Sequence, residues 1–171
     1  MTNKVEIIVF NPTVKDYLPA TGHKEDAGID CYALEDITVP SITKAGKRQS
    51  SKDASGPTTP VSVPVKLGFG VKMPKRTILD KITGKRWHAE VTGRSSQNKN
   101  GVLVMRGIID ETYEGEIIAC LVNFNPFDVV YKKGERICQL LFDKCRKPTS
   151  ADIRILTKEA RKDGGFGSTG K

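Results

Sequence analysis

Long apolar runs are missing from this chain. Nowhere do about 18 apolar residues follow one another, so no stretch reads as a transmembrane helix. The opening residues, MTNKVEIIVFNP, lack the basic, apolar and small-residue succession of a signal peptide, and a cytoplasmic protein is expected. Aromatics are scarce at 6% and apolar residues reach 37%. A modest single core follows, with something to gain from association. Histidine occurs twice, as His23 and His88, and neither belongs to a Ser-His-Asp set; His88, beside Trp87, reads as structural. The four cysteines, Cys31, Cys120, Cys138 and Cys145, form no CxxC pair, and each lies in or beside an apolar run. Buried free thiols are expected, not a zinc site or a disulfide framework. Long helical periodicity is also absent.

The net charge of +8 is localised. Positions 44–76 hold eight Lys or Arg against one acid, Asp53, whereas positions 107–128 hold five acids and no base. Residues 43–60, TKAGKRQSSKDASGPTTP, show no apolar periodicity and read as a mobile insertion. A basic loop can meet nucleic acid, but no aromatic interleaves these charges to stack on bases, so DNA binding is disfavoured. A solvated loop is the first reading, and a docking point for a protein partner is the second.

What the chain does contain is a series of short β-like runs. KVEIIVF (4–10) reads as a first strand. In the segment 24–40, Ile29, Cys31 and Ala33 alternate with Asp30, Tyr32 and Leu34, as in a strand with one buried face. Further strands are expected at 61–65 and 68–74. A hairpin is expected from 77–82 and 86–91, turning at Thr83-Gly84. TGRSSQNKNG (92–101) predicts a short helix capped by Ser95 or Ser96, with Arg94 beside its start. A strand at 135–142 follows a turn at Lys133-Gly134, and 153–160 fits strand or helix equally well. The whole is an all-β sandwich, jelly roll or barrel.

The stretch GIIDETYEG (107–115) stands between two apolar runs, 102–105 and 116–124, and reads as the loop of a hairpin. A carboxylate such as Asp110 beside the ring of Tyr113 can activate water next to a flat ligand. The same residues also suit an ordinary turn. The C-terminal GGFGSTGK nearly matches a phosphate loop, but no helix follows it, so that reading fails. Its amides could still wrap phosphates, with Phe166 stacked on a base.

Five segments, DAGIDCYA (26–33), GRSS (93–96), GIIDETYEG (107–115), GERICQLLF (134–142) and RKDGGFGSTG (161–170), follow the motif order of the trimeric dUTPases. The chain resembles that family, the deoxyuridine 5′-triphosphate nucleotidohydrolases, over nearly all its length apart from the insertion. The resemblance implies a jelly-roll or distorted β-barrel domain over 1–160, a short helix after the Arg-Ser-Ser motif and a mobile tail over 161–171. It implies hydrolysis of dUTP to dUMP and pyrophosphate, with Mg2+ carried by the triphosphate and held by Asp30 through water. Asp110 would deprotonate the attacking water, and Tyr113 would lie under the deoxyribose. The backbone near Val104, Gly107, Ile108 and Ile109, with Ile118 beside it, would meet the uracil. Arg94, Ser95, Ser96 and Gln139 would bind phosphates. Arg161, Phe166, Gly167, Ser168 and Thr169 would close over the substrate. Active sites shared between the chains of a homotrimer complete the picture.

Departures from the family pattern are small: Gly93 in place of proline, Cys138 in place of alanine, and Lys162 in place of glycine. Two other readings stand beside this one: a dCTP deaminase of the same superfamily and a nucleotide-gated protein-binding regulator.

Overall fold

The computed structural model describes residues 4–42 and 61–146. The insertion 43–60, the segment 153–160 and the tail 161–171, with their expected roles, lie outside the described residues.

The chain runs through β1 (Glu6–Val9), a 3-10 turn (Pro12–Asp16), β2 (Ile29–Tyr32) and β3 (Ile37–Val39), then β4 (Val63–Lys66) and β5 (Phe69–Lys72). Helix α1 (Ile78–Thr83), β6 (Lys85–Thr92), helix α2 (Ser95–Lys99) and β7 (Val102–Met105) follow. The last four strands are β8 (Gly107–Asp110), β9 (Ile118–Asn123), β10 (Val129–Tyr131) and β11 (Arg136–Arg146). Antiparallel pairing builds sheets β2-β11-β6-β8 and β4-β9-β7, with two-stranded pairs β1-β5 and β10-β3. The all-β expectation holds.

One core serves every sheet. Cys31, Ala89, Val91, Ile109, Ile137 and Leu140 point in from the four-stranded sheet, and Val102, Ala119 and Leu121 from the three-stranded one. Phe69 and Val71 on β5 and Val39 on β3 close it. Each fully buried large side chain contributes on the order of 1.5–3 kcal/mol relative to exposure. Only one aromatic, Phe69, is among the fully buried side chains of the described residues, in line with the sparse aromatic content.

Two expectations need correction. The 77–82 run is helix α1, not the first arm of a hairpin, because local capping overrides its apolar content. Thr77 Oγ1 accepts from Asp80 N at 3.1 Å, and Asp80 Oδ2 accepts from Thr77 N at 2.9 Å. Gly84, at φ 70°, ends the helix in the left-handed region. The 86–91 run therefore pairs elsewhere, with β11 on one side and β8 on the other. The second correction concerns GIIDETYEG. β7 and β9 do pair as the expected hairpin, Met105 opposite Cys120 and Val102 opposite Asn123. Their connection, however, contains β8, whose β-branched Ile108 and Ile109 extend the sheet alongside β6. The cysteine expectation holds for Cys31 and Cys138, which are buried; Cys120 is half-buried and Cys145 exposed. Cys138 lies opposite Cys31, and their contact together with burial pushes the Cys31 thiol well above its ordinary value.

Asp80 ties α1 to the sheet. Its carboxylate accepts from Lys144 Nζ at 2.8 Å, and Lys144 first, then the backbone and hydroxyl of Thr77, hold its pKa down at about 2. A depressed folded value gives stabilisation that is complete above the unfolded value of 3.8 and is lost as pH falls through about 2. Asp80→Asn should lower the melting temperature at neutral pH. Between about pH 4 and pH 2 its melting temperature should then fall less than that of the unaltered protein. Parallel acid profiles for the two proteins would refute this tether.

Candidate active site

The sequence-selected residues gather in two groups along β6. His88, Glu90 and Thr92 alternate with the inward Ala89 and Val91, so the three share the outer face of the sheet. Across from them stand Asp110 (opposite His88), Ile108 (opposite Glu90) and Gln139 (opposite Thr92).

The first group surrounds β8. A cavity of about 250 Å³ is lined by Gly107, Ile108, Ile109, Asp110, Tyr113 and Ile118, with Val91, Glu116 and Ile117 completing the wall. The chain turns after β8, where Tyr113 N donates to Asp110 O at 3.0 Å. The ring of Tyr113 is fixed by its hydroxyl, which donates to Glu116 O at 3.0 Å. Glu116 is itself held, accepting from Gly68 N at 3.2 Å. Val104 is not among the lining residues: it pairs with Leu121 in the β7–β9 hairpin and packs against the core.

The second group centres on Asp30. The strand alternation places Asp30 outward, yet it is buried, because two guanidinium groups cover it. Arg94 Nε donates to Oδ1 at 2.7 Å and Arg136 Nη1 to Oδ2 at 3.0 Å. Arg94 also reaches Ser96 Oγ at 3.4 Å. Gln139 lies opposite both Asp30 and Thr92, and its Nε2 donates to Gly93 O at 3.1 Å. A Cβ at Gly28 would stand 2.5 Å from Gln139 Oε1, so a side chain there would displace the Gln139 amide from this position. Arg94, Ser96, Gln139 and Asp30 are thus brought together, and Ser95 opens the same helix. The helix start differs from expectation. Arg94 is the N-cap residue, and its N–H donates to Gln97 Oε1 at 3.1 Å, in place of a serine cap.

Three contributors escaped the sequence reading. Arg136 is recruited by the β2–β11 pairing, which no local pattern announces. Gln97 is buried and its Nε2 donates to Ile137 O, pinning α2 against β11. His88 reaches the site only because β6 and β8 are neighbours. The only available signal for Arg136 and Gln97 was their place inside or beside the quoted motifs.

Chemically, the first group offers a carboxylate at the mouth of a small cavity with an aromatic wall, and the second offers cations, hydroxyls and an amide suited to phosphate oxygens. His88 and Thr92 are four residues apart, so the two groups stand about 13 Å from each other along β6. Among the described residues no cluster of three or more His, Cys, Asp or Glu could chelate a metal. Asp30 brings a single carboxylate whose two oxygens are both engaged by guanidinium groups, so its chemistry suits a water-mediated contact to an ion and not direct ligation.

Comparison with known proteins gives the family. A family model described as dUTPase matches residues 60–170. The chain is 31% identical over 153 residues to the deoxyuridine 5′-triphosphate nucleotidohydrolase of Paramecium bursaria Chlorella virus 1, covering 89% of each chain. Its fold is similar to that of the Staphylococcus bacteriophage 80alpha dUTPase with dUPNHPP, at TM-score 0.69 and 18% identity, over 99% of this chain and 100% of that one. It also resembles a mutant dUTPase from phage phi11 of S. aureus whose structure details the coordination of a structural Mg(II) ion. There the TM-score is 0.59 at 16% identity, over 97% of this chain and 100% of that one.

Gly115 tests the placement of the aromatic wall. A Cβ there would lie 2.5 Å from Tyr113 Oη and 2.6 Å from Cζ. In Gly115→Ala the ring should leave its place and the bond to Glu116 O should break. A crystal structure of the variant is expected to show a new Tyr113 rotamer; an unmoved ring would overturn this account.

Proposed function

The chain belongs to the dUTPase family, and we infer from that membership and the two residue groups on β6 that it hydrolyses dUTP to dUMP and pyrophosphate. The observation that carries the reading is the cavity beside β8, where Asp110 and Tyr113 stand at the edge of one small, mostly apolar space. Asp110 takes a proton from water as the water oxygen bonds to the α-phosphorus. The bridging P–O bond to the β-phosphate breaks, and pyrophosphate leaves. Tyr113, held by Glu116, lies against the deoxyribose, and the backbone of Gly107, Ile108 and Ile109 meets the uracil edge. Arg94, Ser95, Ser96, Gln139 and Arg136 neutralise and orient the phosphates, which is most of what phosphoryl chemistry requires. Bound Mg2+ would add charge neutralisation at the phosphates, and Asp30 would hold it through water once the incoming phosphates draw Arg94 and Arg136 away. The tail residues Arg161, Phe166, Gly167, Ser168 and Thr169 complete the enclosure, as the family resemblance implies.

A homotrimer with shared sites is part of the same proposal. The base and the phosphate cluster sit apart on one chain, as described above. Ile108, Tyr113 and Ile118 at the β8 cavity and Leu103 and Met105 on β7 are all exposed, apolar surface that a neighbouring chain would cover. A cytoplasmic setting and a protein partner on the 43–60 insertion belong to the proposal as well.

In Asp110→Asn the shape remains and the base is gone. Pyrophosphate release from dUTP should fall at least about a hundredfold while dUTP still binds; near-normal turnover would remove Asp110 from its role. Assay of dCTP, dTTP and UTP in parallel, with and without Mg2+, separates this reading from deamination of dCTP.

Shared sites have their own test. Asp110→Asn with an intact tail, and a chain truncated after Ala160, should each be inactive. When the two are unfolded together and refolded as an equal mixture, about a quarter of sites should unite an intact base with an intact tail from different chains. A mixture that stays inactive although mixed trimers are seen by mass would refute sharing.

A further inference from the structure

The base proposed above has no visible means of orientation. No described side chain bonds the carboxylate of Asp110, which is exposed on the last residue of β8. General bases in hydrolytic sites are ordinarily held by a further group, because a misdirected carboxylate loses the alignment that proton transfer needs.

Directly across the sheet from Asp110 is His88, on the same outer face, where antiparallel partners bring their Cβ atoms to about 4.5–5.5 Å. Both residues line a second cavity of about 540 Å³, with Glu90, Arg106 and Glu111 also in its wall. Among the described residues, the His88 ring is held from one side only. Its Nε2 lies 3.2 Å from Glu90 Oε1. Glu90 is fixed by a two-pronged contact from Arg106, with Arg106 Nε donating to Oε2 at 2.9 Å. That contact holds the Glu90 carboxyl below its ordinary range. A carboxylate only accepts, so Nε2 carries a ring proton, and in the neutral ring Nδ1 is then an acceptor. Nδ1 is buried and has no partner among the described residues. Buried polar nitrogens in folded proteins are almost always satisfied, by water where no protein group reaches them.

We propose that His88 is a positioning residue for Asp110: an ordered water donates one hydrogen to His88 Nδ1 and the other to one carboxylate oxygen of Asp110. This leaves the second carboxylate oxygen directed at the water that attacks phosphorus. The relay Arg106–Glu90–His88 fixes the ring, the ring fixes the water, and the water fixes the base. Arg106, in the wall of this second cavity, immediately precedes Gly107, which lines the cavity beside β8, so the chain proposed to meet the nucleobase also anchors the relay. The inference rests on the proposed dUTP hydrolysis.

Two amide substitutions separate the ring nitrogens. His88→Asn puts an acceptor near Nδ1 and gives up the Glu90 bond; His88→Gln reaches Glu90 and leaves Nδ1 without a replacement. With dUTP and Mg2+, His88→Gln should lower kcat about tenfold with KM within about twofold, and His88→Asn should stay within about threefold of the unaltered kcat. Thermal melting of each variant checks that the fold persists. Equal kcat for the two variants would overturn the proposal. So would the reverse order, or a loss confined to KM. Failure of the unaltered protein to release pyrophosphate from dUTP would instead remove the functional reading itself.

Discussion

The pairing of β6 along eight residues of β11, from Thr92 opposite Gln139 to Lys85 opposite Arg146, is the constraint on which the rest of this structure depends. Because a strand alternates its side chains, that single register decides which residues face the core and which face outward. It brings Gln139 beside Gly93 and lets Lys144 reach Asp80. It also leaves the other edge of β6 open to β8. A slip of one residue would bury His88 and Glu90 and expose Ala89 and Val91. The proposed base, its positioning histidine and the phosphate cluster would all be lost together.

Electrostatics on that face is arranged as matched clamps. Asp30 lies between Arg94 and Arg136, Glu90 under Arg106, and Glu111 between Arg76 and Arg86 at 3.4 and 3.7 Å. Charges placed this way cost less to bury than unpaired ones, and they can be exchanged when a charged ligand arrives. Asp30 is the clearest case. Its two arginines are the groups a triphosphate would recruit, so ligand binding on the proposed reading replaces one set of ion pairs by another without stranding a charge.

Much of this was legible in the sequence, and the failures have physical causes. Strand content, the short helix after Arg94 and the nearness of Asp110 and Tyr113 follow from patterns within a few residues of each other. The grouping of Gly107, Ile108, Ile109 and Ile118 with them was implied by the family resemblance, which also included Val104, not a lining residue. Helix α1 was missed because Ile78, Leu79 and Ile82 read as strand-like, while Thr77, Asp80 and Gly84 together encode a start and a stop. The exposure of those three apolar residues shows that capping and the Lys144 tether, not burial, set the helix. Arg136 and His88 were missed for a different reason. Their roles depend on which strands lie side by side, and a single sequence carries no local mark of that choice.

β8 is the last strand of its sheet, joined to β6 on one side and to no described strand on the other. Proteins usually blunt such an edge with charge, proline or a bulge, because open amides and carbonyls invite further pairing. Here Gly107, Ile108 and Ile109 carry none of these. If a nucleobase edge completes the ladder, recognition of the base is written in main-chain atoms that every amino acid possesses. Side-chain mutation can then weaken the grip but cannot respell it. A change of base preference would require moving the strand itself, against its pairing with β6 from His88 opposite Asp110 to Val91 opposite Gly107.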